Sequence, residues 1–169
     1  MDTLTHIALG ACVGEALVGK QLGKKALLIG AVANSIPDFD FLASFWMNVD
    51  DSLLAHRGFT HSLLFALIIT GLLAPSFNRW FYRYKIPARI WVLFFGLELF
   101  LHLFIDAFNA YGMGLFEPFS HYRVSFNTIF VADPFYSIWL GIALVILLVL
   151  KKENGKRLFW AEFGLGIST

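Results

Sequence analysis

The sequence predicts an all-α protein, a polytopic membrane bundle of about five apolar helices, and three observations carry that expectation. Hydrophobic residues make up 58% of the 169 and charged ones only 15%, against roughly 25% charged in a soluble domain. A soluble fold of this size buries only about 70% of its surface, too little for so much apolar matter. Apolar stretches recur at helical length with polar connections between them. The basic residues are gathered rather than scattered: eleven of the thirteen Lys and Arg fall in three turns, at 20–25, 79–89 and 151–157.

The elements follow in order. Asp2-Thr3-Leu4-Thr5-His6 has no basic region ahead of the first apolar stretch, so no cleaved secretory signal is expected and this segment is read as retained. The first span, 4–19, is rich in Ala, Gly and Val, small residues that let membrane helices approach closely, and carries Glu15. Its Cys12, the sole cysteine, reads as a buried, inert thiol. Lys20, Lys24 and Lys25 punctuate a turn, and a second stretch, 26–36, stops at Pro37. At 1.5 Å per residue that stretch cannot cover a hydrocarbon core of about 30 Å, so the first two spans are expected to form a hairpin assisted by snorkelling lysines.

A polar connection, 38–60, leads through Thr60, a candidate N-cap, to a third span at 62–78. The basic and aromatic loop 79–89 is of interfacial type. The fourth span, 90–108, contains Glu98, His102 and Asp106; a Gly- and Phe-rich loop covers 109–132; and Pro134 opens the fifth, 135–150. Residues 1–157 thus read as one membrane-embedded domain and 158–169 as a short interfacial tail. There is no internal repeat or low-complexity segment.

Alternating spans put the three basic turns on one side, cytoplasmic by the positive-inside rule. The opposite side receives Asp2, Asp38, Asp40, Asp50, Asp51, Asp106, Glu117 and Asp133, with only Arg57 and Arg123 as cations. The formal net charge of +1 gives no basis for a nucleic-acid partner. All five histidines fall at the outer span ends or in the outer loops: His6, His56, His61, His102 and His121. Imidazole and carboxylate suit zinc and similar divalent ions, and helix bundles build such sites from facing side chains. His102 and Asp106, four apart, share a helix face. Asp38 and Asp40 lie two apart in a non-helical turn, which favours one as ligand and the other behind it. Glu15 and Glu98 lie deeper, where they could orient a ligand, relay a proton or pair across helices. An arginine beside such a cluster, Arg57 above all, suggests binding of phosphate or carboxylate by its planar fork.

Several blocks together carry a resemblance: Asp2-Thr3-Leu4-Thr5-His6, Pro37-Asp38-Phe39-Asp40, His56-Arg57-Gly58-Phe59-Thr60-His61-Ser62, His102-Leu103-Phe104-Ile105-Asp106 followed by Tyr111-Gly112, Pro118-Phe119-Ser120, and Asp133-Pro134. In this order they resemble the bacterial inner-membrane metal-dependent hydrolases of the YdjM type, a family distantly similar to the zinc-dependent phospholipase C and single-strand nuclease superfamily. The resemblance implies metal ligation by His6, Asp38, His61, His102 and Asp106, with Asp133 counted beside them and Asp40 and His56 close by. The function it implies is a membrane-bound hydrolase holding one to three divalent ions, zinc being expected. Such an enzyme would cleave a phosphoester of a phospholipid or lipid-linked phosphate at the outer face of the plasma membrane, with Asp40, His56 and Arg57 as catalytic groups. The alternative is a transporter or ion-conducting protein with an intramembrane His/Asp site. It predicts ionisable groups spread through the bilayer depth, whereas here they crowd one face.

Overall fold

A computed structural model describes residues 2–45, 57–128 and 133–168. Among these the protein is all-helical, with six α-helices: α1 (Thr3–Leu22), α2 (Lys24–Ser35), α3 (Leu63–Trp80), α4 (Ala88–Ala107), α5 (Pro134–Val149) and α6 (Lys156–Ser168). 310 segments at Pro37–Phe45, Phe59–His61 and Tyr82–Tyr84 connect them. The described residues contain no strand, only an isolated antiparallel bridge between Met113 and Val124.

α1 and α2 form a hairpin tighter than the sequence suggests. Gly23 alone separates them, at φ 61° and ψ −137°, a conformation that costs a glycine little, and its N–H caps α1 by donating to the Gly19 carbonyl. The two helices then run in backbone contact. A Cβ on Gly10 would overlap the Gly30 carbonyl oxygen, one on Gly30 the Gly10 carbonyl, and one on Gly14 the Ala26 carbonyl. The small residues expected to permit close approach are thus at the contact itself. α1 also packs on α5 and α6, with Leu9, Cys12, Val13, Leu140, Ala143, Leu147 and Ala161 in one apolar core. A second core, around Trp91, Phe94, Phe95 and Val18, joins α1, α2, α3 and α4.

Two helices, α3 and α4, are long and apolar enough to cross a bilayer; α5 is apolar but has 16 residues, and α2 has 12. Length and composition together thus mark two clear membrane helices among the described residues, fewer than the five spans expected. α3 buries only Ala74, leaving residues such as Leu67 and Leu72 exposed, an apolar surface whose natural solvent is lipid. Capping sets where helices begin. Asp2 accepts from the Thr5 N–H, Ser62 from Phe65 and Asp133 from both Phe135 and Tyr136, so Ser62 rather than Thr60 caps α3.

Residues 158–169, read as a tail, belong mostly to α6, which packs against α1 and α5. Arg157, counted in the sequence among the basic anchors, is instead buried in this contact. Its guanidinium donates to both carboxylate oxygens of Glu15 and to the Leu147 and Leu150 carbonyls, closing the C-terminus of α5. Around it, Lys152 Nζ reaches the Gln21 carbonyl at 2.7 Å and Lys25 Nζ the Tyr84 hydroxyl at 3.0 Å, so the three basic turns meet at one end of the bundle.

The hairpin contact generates a direct test. Gly30→Val forces a branched side chain into the Gly10 backbone and is expected to lower the stability of the detergent-solubilised protein by at least about 2 kcal/mol. Gly71→Ala, with nothing within 4 Å of the added carbon, is expected to leave it within about 0.5 kcal/mol. Thermal unfolding of the two variants checks both.

Candidate metal centre

The end of the bundle opposite the basic turns gathers one chemical type. Asp38 comes from the 310 segment after α2, His61 from the 310 turn before α3, and His102 and Asp106 from adjacent turns of α4. One donor atom from each lies within 4.8 Å of all the others. His102 Nε2 stands 3.2 Å from His61 Nε2; Asp38 Oδ1 is 3.6 Å from each of these nitrogens; and Asp106 Oδ2 is 3.5 Å from His61 Nε2 and 3.8 Å from His102 Nε2. Tetrahedral zinc with ligands at about 2.0–2.2 Å needs donor–donor edges of about 3.3–3.6 Å. Of the five edges given, three lie in that range and the other two, 3.2 and 3.8 Å, lie close to it, and two imidazoles with two carboxylates are a donor set suited to a divalent transition ion. The residues fit a metal.

His61, His102 and Asp106 have fully buried side chains, and Asp38 retains 14% exposure, the side from which solvent can reach the cluster. Burial pushes the His61 imidazole below its ordinary pKa, despite the opposing pull of Asp38 and Asp40, which favours the neutral ring a metal requires. For Asp38 burial acts upward, but the His61 hydrogen bond and the neighbouring histidines prevail and hold the carboxyl below its ordinary value.

Around the cluster stand residues of the expected set in other roles. Asp40 lies on the far side of the His61 ring: its Oδ2 accepts from the Arg57 backbone N–H at 2.7 Å and from Thr60 Oγ1 at 3.4 Å, and is 3.6 Å from His61 Nδ1. Of the two aspartates, Asp38 therefore faces the cluster and Asp40 backs the histidine. Arg57 occupies the left-handed region at φ 57°, places Nη2 3.5 Å from Asp106 Oδ2 and lies over the Tyr111 ring. The 109–128 loop is fastened over this region, with the Gly114 N–H donating to the Arg57 carbonyl and the Leu63 N–H to the Leu115 carbonyl.

His6 is buried beside the four donors, its Nε2 3.3 Å from Asp106 Oδ1 and its ring stacked on His102 at 3.8 Å. Asp133 is not brought to the cluster. The Asp-Pro pair acts as N-cap and first residue of α5, and the Asp133 carboxylate is taken by the helix N–H groups. His121 is exposed near Glu117, and His56 lies outside the described residues. Two groups the sequence reading passed over complete the surroundings. Asn109 donates to Asp106 Oδ1 at 3.3 Å, and Asn34 accepts from the His6 ring at 3.2 Å. An asparagine inside the apolar 26–36 stretch was the available signal for the second.

A helical bundle with two membrane-length apolar helices and a buried His/Asp cluster defines a class: membrane-associated helical proteins with a candidate metal centre. Residues 1–168 match the YdjM inner membrane protein family, and the chain belongs to that family. It is 34% identical over 145 residues to the uncharacterized protein YfhP of Bacillus subtilis strain 168, covering 82% of this chain and 43% of that protein. It is 33% identical over 112 residues to the inner membrane protein YbcI of Escherichia coli strain K12, covering 66% of this chain and 63% of that one. The matches thus cover less than two thirds of the length of either relative. No solved structure matches.

The two kinds of aspartate can be told apart experimentally. Asp106→Ala or Asp38→Ala is expected to abolish stoichiometric zinc in the purified protein. Asp133→Ala is expected to leave zinc content unchanged while lowering stability by about 1 kcal/mol through loss of the cap. Elemental analysis and thermal unfolding on the same preparations read both.

Proposed function

We propose that the protein is a multi-pass inner-membrane hydrolase, dependent on a divalent metal such as zinc, that cleaves a phosphoester at the extracytoplasmic end of the bundle. The observation that carries this reading is the clustering of Asp38, His61, His102 and Asp106, each with a donor atom within 4.8 Å of the others, with the Arg57 guanidinium at its edge. A divalent ion held by the four would supply Lewis acidity and lower the pKa of water at the site toward about 7. The protein's own groups account for the rest. Arg57 is the cation placed to hold a phosphate and the charge that grows on it, and its planar fork suits that anion. Asp40 and Thr60 orient the His61 ring and tie it to the Arg57 backbone, so ligand and anion-binding group are positioned together. His56, adjacent in sequence to Arg57, would be a further proton carrier.

The extracytoplasmic placement rests on the basic turns meeting at the opposite end, which the positive-inside rule assigns to the cytoplasm. α1, α2 and α5 would complete a five-span bundle around the two long helices, with the short α2 relying on its lysines to reach the interface. A site at the membrane face favours a phospholipid or lipid-linked phosphate, which can enter from the bilayer side.

Purified protein reconstituted with zinc is expected to release phosphate or a phosphomonoester from lipid phosphates. His102→Ala is expected to abolish turnover, and Arg57→Ala to reduce kcat by about 10²- to 10³-fold with zinc retained. Metal-replete protein inactive on every phospholipid and lipid phosphate tested, but carrying metal or proton flux in liposomes, would favour the transporter instead.

A further inference from the structure

Glu98 is wholly buried in the middle of α4, and Asn34 is wholly buried in α2. Neither belongs to the four-donor cluster, and a carboxyl group at such a position is expensive to keep. Their hydrogen bonds run toward the centre. Asn34 Nδ2 lies 2.8 Å from the Glu98 backbone carbonyl and 3.0 Å from Glu98 Oε2. A backbone carbonyl can only accept, so the atom facing it must be the amide nitrogen, and the orientation of Asn34 is fixed chemically. Its oxygen then faces His6 Nδ1 at 3.2 Å, and because that oxygen can only accept, His6 Nδ1 must carry the proton. A neutral ring protonated there has a bare lone pair at Nε2. That lone pair points at Asp106 Oδ1, 3.3 Å away, itself an acceptor that already takes a hydrogen bond from Asn109. Two acceptors face one another, an arrangement that a cation between them satisfies.

We propose that Asn34 and Glu98 form a buried positioning chain that locks His6 in the Nδ1–H tautomer and so presents its Nε2 to the metal centre. The chain has the form of the outer-shell partners that orient metal-bound histidines. A packing role for Asn34 would be served equally by the other tautomer, with Nε2–H donating to Asp106, but the amide orientation forbids it. Asp106 is the shared element, with Oδ2 toward His61 and His102 and Oδ1 toward His6. The Gly10–Gly30 contact is what brings Asn34 within reach: a Cβ on Gly10 would stand 2.5 Å from Asn34 Cβ, and one on Gly30 would stand 3.0 Å from Glu98 Oε1.

This inference rests on the metal-centre reading, and the test separates the two. Histidine ring ¹⁵N spectra of the full-length, metal-free protein in micelles, at a pH about two units above the ordinary imidazole value, report the tautomer directly. The expected result is His6 protonated at Nδ1 and bare at Nε2. Asn34→Leu is expected to move the proton to Nε2 and weaken zinc binding by about 10- to 100-fold. Glu98→Gln, which keeps an acceptor for the Asn34 amide, is expected to preserve the Nδ1–H form. Wild-type His6 found as Nε2–H or doubly protonated overturns the positioning chain, whether or not Asn34→Leu folds. Zinc affinity unchanged in a folded Asn34→Leu variant also overturns it. Absence of zinc binding in the wild type, with the Nδ1–H tautomer present, overturns the metal reading instead.

Discussion

The contact on which the rest of the structure depends is that between the backbones of Gly10 and Gly30. With no side chain on either residue, α1 and α2 close to a distance at which a single methyl group would overlap a carbonyl oxygen. That proximity sets the reach of every polar group above it. His6, one turn N-terminal to Gly10 on α1, meets Asn34, one turn C-terminal to Gly30 on α2, and Asn34 in turn meets Glu98 on α4. Three helices are thereby joined by hydrogen bonds through an otherwise apolar interior, where each unsatisfied polar group would cost about 1–3 kcal/mol.

The bundle separates two kinds of ionic arrangement. At the basic end, Glu15 and Arg157 neutralise one another inside the protein while the lysines remain at the surface, so α6 is held to α1 by a pair whose disruption would strand a buried charge. At the other end, three aspartates approach three histidines with Arg57 as the neighbouring cation. Negative groups concentrated in a buried pocket repel one another, and a bound divalent ion is the economical way to hold them together. The first arrangement is complete within the chain; the second has the chemistry of a receptor.

Much of this was legible in the sequence, for reasons that can be named. Apolar runs bounded by Pro37, Pro134 and the basic turns marked the helices, because those residues end or open helices physically rather than statistically. The i, i+4 spacing of His102 and Asp106 placed both on one helix face, and the two-residue spacing of Asp38 and Asp40 suggested one facing and one backing residue, although the segment is a 310 helix rather than the non-helical turn expected. Other features depended on three-dimensional partners. Asp133 has the same carboxylate as the aspartates of the cluster, and only the helix N–H groups in front of it reveal a cap. Arg157 looked like a solvated anchor because its partner, Glu15, is 142 residues away. The final residues read as a short interfacial tail because length measures spanning a membrane, not packing against α1 and α5. Asn34 was passed over because one amide in an apolar run has no periodicity to flag it.

The central claim is that four side chains from three segments form one metal site, and the coordination shell is its most direct readout. X-ray absorption at the zinc edge of the reconstituted protein is expected to give a first shell of nitrogen and oxygen only, at about 2.0–2.2 Å, with outer-shell scattering from at least two imidazoles. A shell containing sulfur from Cys12, or one without imidazole scattering, would contradict the account.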